Sequence, residues 1–314
     1  MSGQIICRVL TGPTASGKSD LAFRLARENG WEIICMDSMQ IYRRMDIGTA
    51  KPTAEEQEAV RHHMLDICEP DESYSVSQYI EDALRTAEER YREGKEVLFV
   101  GGTGLYLEGM VRGMSMGYRP ADENLREELH ALAEGPEGRI KLDERLRRTD
   151  PATADKLPLN DIRRRIRAIE VSEATGIPFS QQEDRREVDD RFRWVVASTC
   201  LERSTLYDRI NRRVDRMIEQ GLPGEVEKLL REGVPEEAQS MQAIGYKEMI
   251  PYLRGEWTLE TAADEIRKGT RHYAKRQMTY LRRLEGVRYI RTDEAGDQAE
   301  LREYFTGIGE GSNG

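Results

Sequence analysis

The sequence predicts an α/β fold: a parallel, P-loop NTPase-like sheet flanked by helices, with an inserted and mainly helical domain. Short apolar runs end in glycine-rich or polar turns, helical stretches separate these runs, and a middle segment has no strand-like run. Alternation of this kind is typical of parallel sheets with helices on both faces. The 314 residues also exceed a usual single domain of about 100–200 residues. We therefore expect two domains.

The first hundred residues carry the alternating pattern. Their predicted elements are a strand at Ile5–Thr11, a helix around Leu21 and Leu25, a strand at Glu32–Met36, a helix at Ser77–Glu93 and a strand at Val97–Val100. The helix is assigned from apolar residues spaced four apart, and the strands from short runs that end at turn residues. These elements predict that the sheet begins at the N-terminus.

The middle of the chain changes character at about residue 114. From there to residue 187, Leu, Ile and Ala recur at helical spacing among many Arg and Glu residues. A strand at Trp194–Thr199 then precedes helices at Ser204–Gln220, Gly224–Arg231 and Thr258–Leu284. The predicted domains are an α/β core of residues 1–113 and 192–314 and a helical insertion of residues 114–191.

Composition excludes some classes of protein. No apolar run approaches the roughly 20 residues that a membrane-spanning helix needs. The four cysteines are far apart and form no CxxC pair, which favours buried free thiols and a cytoplasmic protein. The net charge of −10 argues against a general nucleic-acid binder. However, residues 267–284 hold seven cations and no acid, so one segment is strongly basic.

A phosphate-binding loop follows the first strand directly. Its residues fit the pattern G-x-x-x-x-G-K-[ST] and are Gly12, Pro13, Thr14, Ala15, Ser16, Gly17, Lys18 and Ser19. Backbone N–H groups and the following helix N-terminus bind an anion, a lysine adds a full charge, and Ser19 can ligate Mg²⁺. The loop predicts a diphosphate ligand, whether in ATP, in GTP or in a smaller molecule.

The strand ends near this loop depart from those of ordinary P-loop kinases. The Val97–Val100 strand runs into a glycine-rich turn with Thr103, where a kinase would place an acid for Mg²⁺. Asp37 instead follows the Glu32–Met36 strand, at the edge where open α/β sheets bind ligands. Asp37 therefore lies at a candidate ligand-binding edge of the sheet.

Eight ordered sequence blocks resemble one known family. The blocks are GPTASGKS at 12–19, DSMQIY at 37–42, MDIGTAKP at 45–52, HHMLDI at 62–67, GGTGLY at 101–106, NDIRRRIRAIEV at 160–171, QAIGYKE at 242–248 and YAKRQMTYLRR at 273–283. Together they resemble the tRNA dimethylallyltransferases, the isopentenyl-tRNA transferases of bacterial type. Departures are Leu157-Pro158-Leu159, where His-Pro commonly stands, and Arg44 in place of a common glycine. These departures affect local loop geometry.

The resemblance implies a reaction and its partners. Dimethylallyl diphosphate would donate its five-carbon group to N6 of the adenosine immediately 3′ of the anticodon, in tRNAs that read codons starting with U. Diphosphate would leave, with Mg²⁺ as cofactor. The implied partners are the tRNA anticodon stem-loop and dimethylallyl diphosphate, with no membrane, and we expect a monomer.

The resemblance also implies a role for individual residues. Asp37 matches the catalytic base, and Thr103 matches a residue that contacts the reacting centre. The P-loop residues 12–19 would hold the diphosphate, with Thr14 and Ser16 offering hydroxyls, and Arg213 is a further candidate for this contact. The implied tRNA contacts are Asp37, Ser38, Met39, Gln40, Thr103, Arg126, Asn160, Asp161, Arg163, Arg164, Gln242, Ala243, Ile244, Gly245, Tyr246, Lys247, Arg271, Lys275, Arg276 and Gln277. The helical insertion would grip the anticodon stem.

Two other functions remain open at the level of sequence. One is a P-loop kinase for a nucleotide or small metabolite, in which Asp37 activates a hydroxyl; the other is an RNA-binding protein whose loop senses a nucleotide. The insertion is equally compatible with a helical lid. His62 and His63 are adjacent, which does not suit a shared metal ion, and their roles and that of Asp66 stay open, as does ATP binding.

Overall fold

A computed structural model describes residues 4–113, 122–182, 188–292 and 295–307. Its centre is one six-stranded sheet with the order β3-β2-β4-β1-β5-β6, in which every neighbouring pair is parallel. The strands are β1 Ile5–Thr11, β2 Glu32–Cys35, β3 His62–His63, β4 Val97–Gly101, β5 Phe192–Cys200 and β6 Arg288–Arg291. The predicted parallel α/β sheet is therefore confirmed.

Helices fill most of the remaining described chain. Their bounds are α1 Lys18–Asn29, α2 Ala54–Ala59, α3 Val76–Arg92, α4 Gly104–Arg112, α5 Glu123–Leu132, α6 Gly135–Thr149, α7 Pro151–Lys156, α8 Ile162–Thr175, α9 Arg203–Glu219, α10 Leu222–Arg231, α11 Tyr246–Leu253, α12 Leu259–Leu281 and α13 Ala295–Thr306. No helix in this part of the chain is long and apolar enough to cross a membrane.

Local signals fix several helix ends close to their predicted positions. Gly94 has φ +71°, a conformation that glycine adopts without strain, and α3 ends just before it. The Thr258 side chain accepts a hydrogen bond from the Thr261 N–H and so caps α12. That helix ends at Leu281, three residues before the predicted end at Leu284.

Contacts divide the chain into two compact units. The first comprises residues 1–74, 81–107 and 190–314, and the second comprises residues 75–80 and 108–189. In the first, apolar side chains of β1, β2 and β4 pack with α1 and α13 around Leu10, Ile33 and Phe305. In the second, the helices α5 to α8 enclose their own core around Leu142 and Ile169. Each unit has a hydrophobic core of its own.

Arg44 illustrates how the sequence departs from the pattern of the related family. Its φ is +63°, in the left-handed region that favours glycine, the residue expected here. The guanidinium makes ion pairs with Glu69 at 2.7 Å and Glu232 at 2.6 Å. The strained backbone is thus accompanied by two ionic contacts that a glycine would lack.

Candidate functional site

Three strand ends of the first unit bring the predicted site residues together. Strand β4 lies between β1 and β2 in the sheet, so the segments that follow these strands meet at one edge. The P-loop follows β1, Asp37 follows β2, and Thr103 follows β4. This edge, at the carboxyl ends of parallel strands, is where open α/β sheets bind ligands.

The P-loop has the backbone geometry of an anion site. Gly17 has φ +85° and directly precedes α1, whose free N–H groups and dipole favour negative charge. Gly12 has φ +147°, and a Cβ there would lie 2.0 Å from Oγ1 of Thr199. Only glycine fits the close approach of this loop to the end of β5.

Side chains from distant parts of the sequence support the P-loop from outside. Oγ of Ser16 is buried and lies 2.6 Å from Oγ1 of Thr199, and the Thr292 hydroxyl donates to the Ser16 carbonyl at 2.8 Å. The Ser16 hydroxyl was predicted to contact the diphosphate; in the structure its hydrogen-bonding partner is Thr199. Thr199 and Thr292 were missed, although each lies at the end of a strand, where ligand-site residues of such sheets gather.

Gln277 links the P-loop to the glycine-rich turn after β4. Its Oε1 accepts from the Thr14 N–H at 2.9 Å, and its Nε2 donates to the Gly102 carbonyl at 2.8 Å. The side chain is buried. Gln277 was predicted to contact tRNA. In the structure both ends of its amide bind protein backbone, so the side chain connects two loops of the site.

Asp37 retains an unused oxygen. Its Oδ1 accepts from the backbone N–H of Met39 at 2.9 Å and of Gln40 at 3.4 Å, in the turn typical of an aspartate after a strand. No hydrogen bond from the described residues reaches Oδ2. Beside it, Oγ1 of Thr103 accepts from the Ser38 N–H at 3.2 Å. Asp37 and Thr103 are therefore neighbours, and one carboxylate oxygen of Asp37 is available to accept a proton.

Cations and a phenol surround this carboxylate. Burial lowers the pKa of Lys18 to about 8, with Arg213 acting in the same direction and Asp37 opposing it. Burial also lowers the pKa of Arg213, which Asp37 again opposes. For Tyr273, burial and then Asp37 raise the pKa, so the phenol stays protonated. The site thus collects positive charge that an anionic ligand would compensate.

A cavity of about 210 Å³ joins these groups. The polar residues around it that matter for chemistry are Lys18, Ser19, Asp37, Gln40, Arg213 and Tyr273. Phe23, Ile33 and Val100 supply apolar wall. A compartment with a cationic and an apolar part suits a molecule that has a diphosphate at one end and a small hydrocarbon at the other.

The predicted magnesium ligand can be tested against this cavity. The Ser19 hydroxyl and the Asp37 carboxylate both line it, and such hard oxygen donors, together with phosphate oxygens, are the ligands that Mg²⁺ prefers. No cluster of three or more His, Cys, Asp or Glu side chains with metal-binding geometry occurs among the described residues. The donor set fits an ion that is held mainly by its diphosphate partner.

The predicted tRNA contacts of the first unit are unequally exposed. Ser38, Met39 and Gln40 are half-buried, and Gln40 lines the cavity. In the segment 242–247, Gln242 and Lys247 are exposed and Ile244 is half-buried, whereas Ala243, Gly245 and Tyr246 are buried. On α12, Lys275 and Arg276 are exposed, while Arg271 donates to Asn211 Oδ1 at 2.9 Å.

The second unit carries the remaining predicted contacts. Asn160, Arg163 and Arg164 are exposed at the start of α8, whose N-terminus Asp161 caps by accepting from the Arg164 N–H. Arg126 pairs with both carboxylate oxygens of the buried Glu170, at 2.7 and 3.0 Å. The three exposed residues therefore present polar groups to solvent, whereas the guanidinium of Arg126 is also tied to its own unit.

Comparison with known proteins identifies the family. The model of the family described as IPP transferase matches residues 40–284. A tRNA dimethylallyltransferase from Thermotoga maritima is 46% identical over 296 residues, which cover 94% of this chain and 95% of that protein. One from Acetivibrio thermocellus is 44% identical over 287 residues, or 91% of each chain.

Solved structures agree with these relatives. The full-length tRNA isopentenylpyrophosphate transferase of Bacillus halodurans is 40% identical and superposes with a TM-score of 0.70, over 97% of this chain and 96% of that one. A eukaryotic dimethylallyltransferase described as acting on tRNA is 26% identical, with a TM-score of 0.78 over 98% of this chain and 77% of that one. The chain therefore belongs to the IPP transferase family, the tRNA dimethylallyltransferases.

Proposed function

We propose that this protein transfers the dimethylallyl group of dimethylallyl diphosphate to N6 of the adenosine immediately 3′ of the anticodon, in tRNAs that read codons starting with U. The observation that carries the proposal is the placing of Asp37, with an unused Oδ2, in one cavity with Lys18 of the P-loop and Arg213. A proton acceptor and a cationic diphosphate site meet there. The family relatives favour this function over the kinase alternative.

The transfer breaks the bond between the allylic carbon and the diphosphate oxygen and forms a bond from that carbon to N6. The electron pair of the broken bond leaves with diphosphate, so negative charge grows on the leaving group. Lys18, Arg213 and the N–H groups of the P-loop lie where they can stabilise that charge. Mg²⁺, bound by diphosphate and Ser19, would supply further charge stabilisation.

The adenine nitrogen needs help because its lone pair is delocalised into the ring. As N6 bonds to carbon it loses a proton, and Oδ2 of Asp37 is the group placed to accept it. The target base must leave its stack to enter the cavity, at a cost of a few kcal/mol. We further propose that the protein works as a monomer, and that it works in the cytoplasm, a reducing compartment that suits its four free cysteines.

The test supplies unmodified tRNA, Mg²⁺ and labelled dimethylallyl diphosphate, with ATP and a small acceptor in a parallel reaction. Label should appear on RNA, and Asp37→Asn should slow transfer by a factor of about 10²–10⁴ while prenyl diphosphate binding persists. The matched control is Asp71→Asn, at an exposed aspartate, which should leave the rate unchanged. Phosphoryl transfer from ATP without label on RNA would overturn the proposal.

A further inference from the structure

A single carboxylate outside the catalytic cavity holds a loop that lines it. Glu225 on α10 accepts the backbone N–H groups of three consecutive residues, Asp46 at 3.0 Å, Ile47 at 2.9 Å and Gly48 at 3.2 Å. A fourth donor is the hydroxyl of the buried Tyr246, at 2.6 Å from Oε1. A carboxylate has about four acceptor positions, so Glu225 is fully used by these four bonds.

The loop has little freedom at this clamp. A Cβ on Gly48 would lie 2.3 Å from the Tyr246 ring, so the backbone rests directly on that ring. Bonds from N–H groups to a charged acceptor are roughly twice as strong as neutral ones. The Lys51 ammonium separately secures the far end of the loop, through the Tyr42 carbonyl at 2.6 Å and Asp46 at 2.8 Å.

The next two residues of the same loop determine which of its two orientations the Gln40 amide adopts. The carbonyl oxygens of Thr49 and Ala50 lie 3.1 and 3.2 Å from Nε2 of Gln40. Carbonyl oxygens only accept, so the atom facing both of them must be the NH₂ group, and both of its hydrogens are used. The amide is thus fixed in one of its two orientations, and Oε1, an acceptor, is left for a ligand.

We infer that Glu225 is a positioning residue for base selection, which acts through residues 46–50 and the amide of Gln40. The inference rests on the proposed function, in which the target nucleobase enters the cavity that Gln40 lines. An amide held in this orientation offers an acceptor, which pairs with the exocyclic amino group of adenine and opposes the O6 acceptor of guanine. Selection against a base without a 6-amino group is therefore influenced by a glutamate that never touches the base.

The test measures competition by anticodon stem-loops that carry adenine, purine or guanine at the target position. Purine lacks only the amino group, so the ratio of its inhibition constant to that of adenine reports the contacts of that group with Gln40 and Asp37. The part of the ratio that Gln40→Ala removes reports the bond to Gln40. We expect the ratio to be about tenfold larger for the wild-type protein than for Gln40→Ala. In Glu225→Gln, whose NH₂ group opposes the loop N–H groups, the ratio should fall to the Gln40→Ala value. The dissociation constant of dimethylallyl diphosphate should not change.

Four further variants complete the design. Tyr246→Phe removes one donor to Glu225 and should lower the ratio partly. The control is Glu227→Gln, at an exposed glutamate that pairs with Arg231 at 3.1 Å, and it should leave the ratio unchanged. Gln40→Ala should lower the ratio as far as Glu225→Gln does, because the remainder comes from Asp37, and the double variant Gln40→Ala, Glu225→Gln should lose nothing more. A ratio that keeps its wild-type value in Glu225→Gln, losses that multiply in the double variant, or an equal loss of prenyl diphosphate binding would overturn the inference. A wild-type protein that transfers no prenyl group would instead refute the proposed function.

Discussion

Lys18 shows how one residue connects burial, charge and ligand affinity. Burial lowers its pKa to about 8, because the ammonium loses solvation in the wall of the cavity. With this pKa, half of the lysine charge is lost at about pH 8 and most of it above that. Only the charged form attracts a diphosphate. In the ligand-free protein, the affinity for diphosphate should therefore fall as the pH rises from 7 to 9.5, by up to about tenfold per unit once Lys18 is neutral.

The measurement is isothermal titration of dimethylallyl diphosphate across that pH range. The matched control is Lys18→Arg, since a guanidinium stays charged throughout and the ligand's own titration is common to both proteins. The wild-type affinity should fall relative to the arginine variant above about pH 8. Parallel curves would show that Lys18 keeps its charge and that burial does not depress its pKa.

Residue types at the site were predictable from sequence, but their partners were not. The P-loop pattern and Asp37 follow from local spacing, and the structure places them in one cavity. Ser16, by contrast, bonds to Thr199, 183 residues away, and Gln277 bonds to Thr14, 263 residues away. Bonds over such separations depend on which strands are neighbours, and no local pattern encodes that. Glu225 escaped prediction for the same reason.

At the scale of elements, strand prediction succeeded where burial dominates. β1, β2, β4 and β5 are apolar runs and were predicted, with β5 extending to Phe192–Cys200 beyond the predicted Trp194–Thr199. The edge strands β3, of two residues, and β6, with Arg at both ends, were missed. An edge strand has only one neighbour and needs little apolar character, so tertiary pairing alone assigns it.

The turn after β4 depends on close packing of two backbones. A Cβ on Gly101 would lie 1.9 Å from the Met36 carbonyl oxygen, which is backbone and cannot move independently of β2. Gly101→Ala should therefore reduce the free energy of unfolding by about 1–3 kcal/mol or more and displace Asp37, which follows Met36. Chemical denaturation measures the stability, and the prenyl transfer rate should fall with it.

The matched control for this substitution is Gly224→Ala, in α10. No atom lies within 4 Å of a Cβ built there, and the backbone is ordinary helix. Alanine should stabilise this position by about 0.5–1 kcal/mol, because glycine loses more conformational freedom in a helix. If both substitutions had the same effect, the close contact between the ends of β2 and β4 would not be a constraint on the fold.

For the whole molecule, the net charge of −10 does not show which basic side chains are available to bind RNA. The basic segment 267–284 is less available than its sequence indicates. Arg267 makes ion pairs with Asp215, Glu260 and Asp264, at 2.6, 3.0 and 2.6 Å, and Lys268 pairs with Glu265 at 3.1 Å. Farther along α12, Lys275 and Arg276 are exposed. We therefore expect only the later part of the helix to meet RNA phosphates.

The dependence of tRNA affinity on salt separates the two parts of α12. A lysine that neutralises one phosphate releases counterions, and its loss lowers the slope of log affinity against log salt by about 0.7–0.9. Lys275→Gln should show this change, whereas Arg267→Gln should leave the slope unaltered because its charge is already compensated by three acids. Filter binding or fluorescence anisotropy gives both slopes when the salt is varied from roughly 50 to 300 mM, a range that includes physiological ionic strength. Equal slopes for Lys275→Gln and the wild-type protein would remove the end of α12 from the RNA interface, and a reduced slope for Arg267→Gln would show that its ion pairs open when RNA binds.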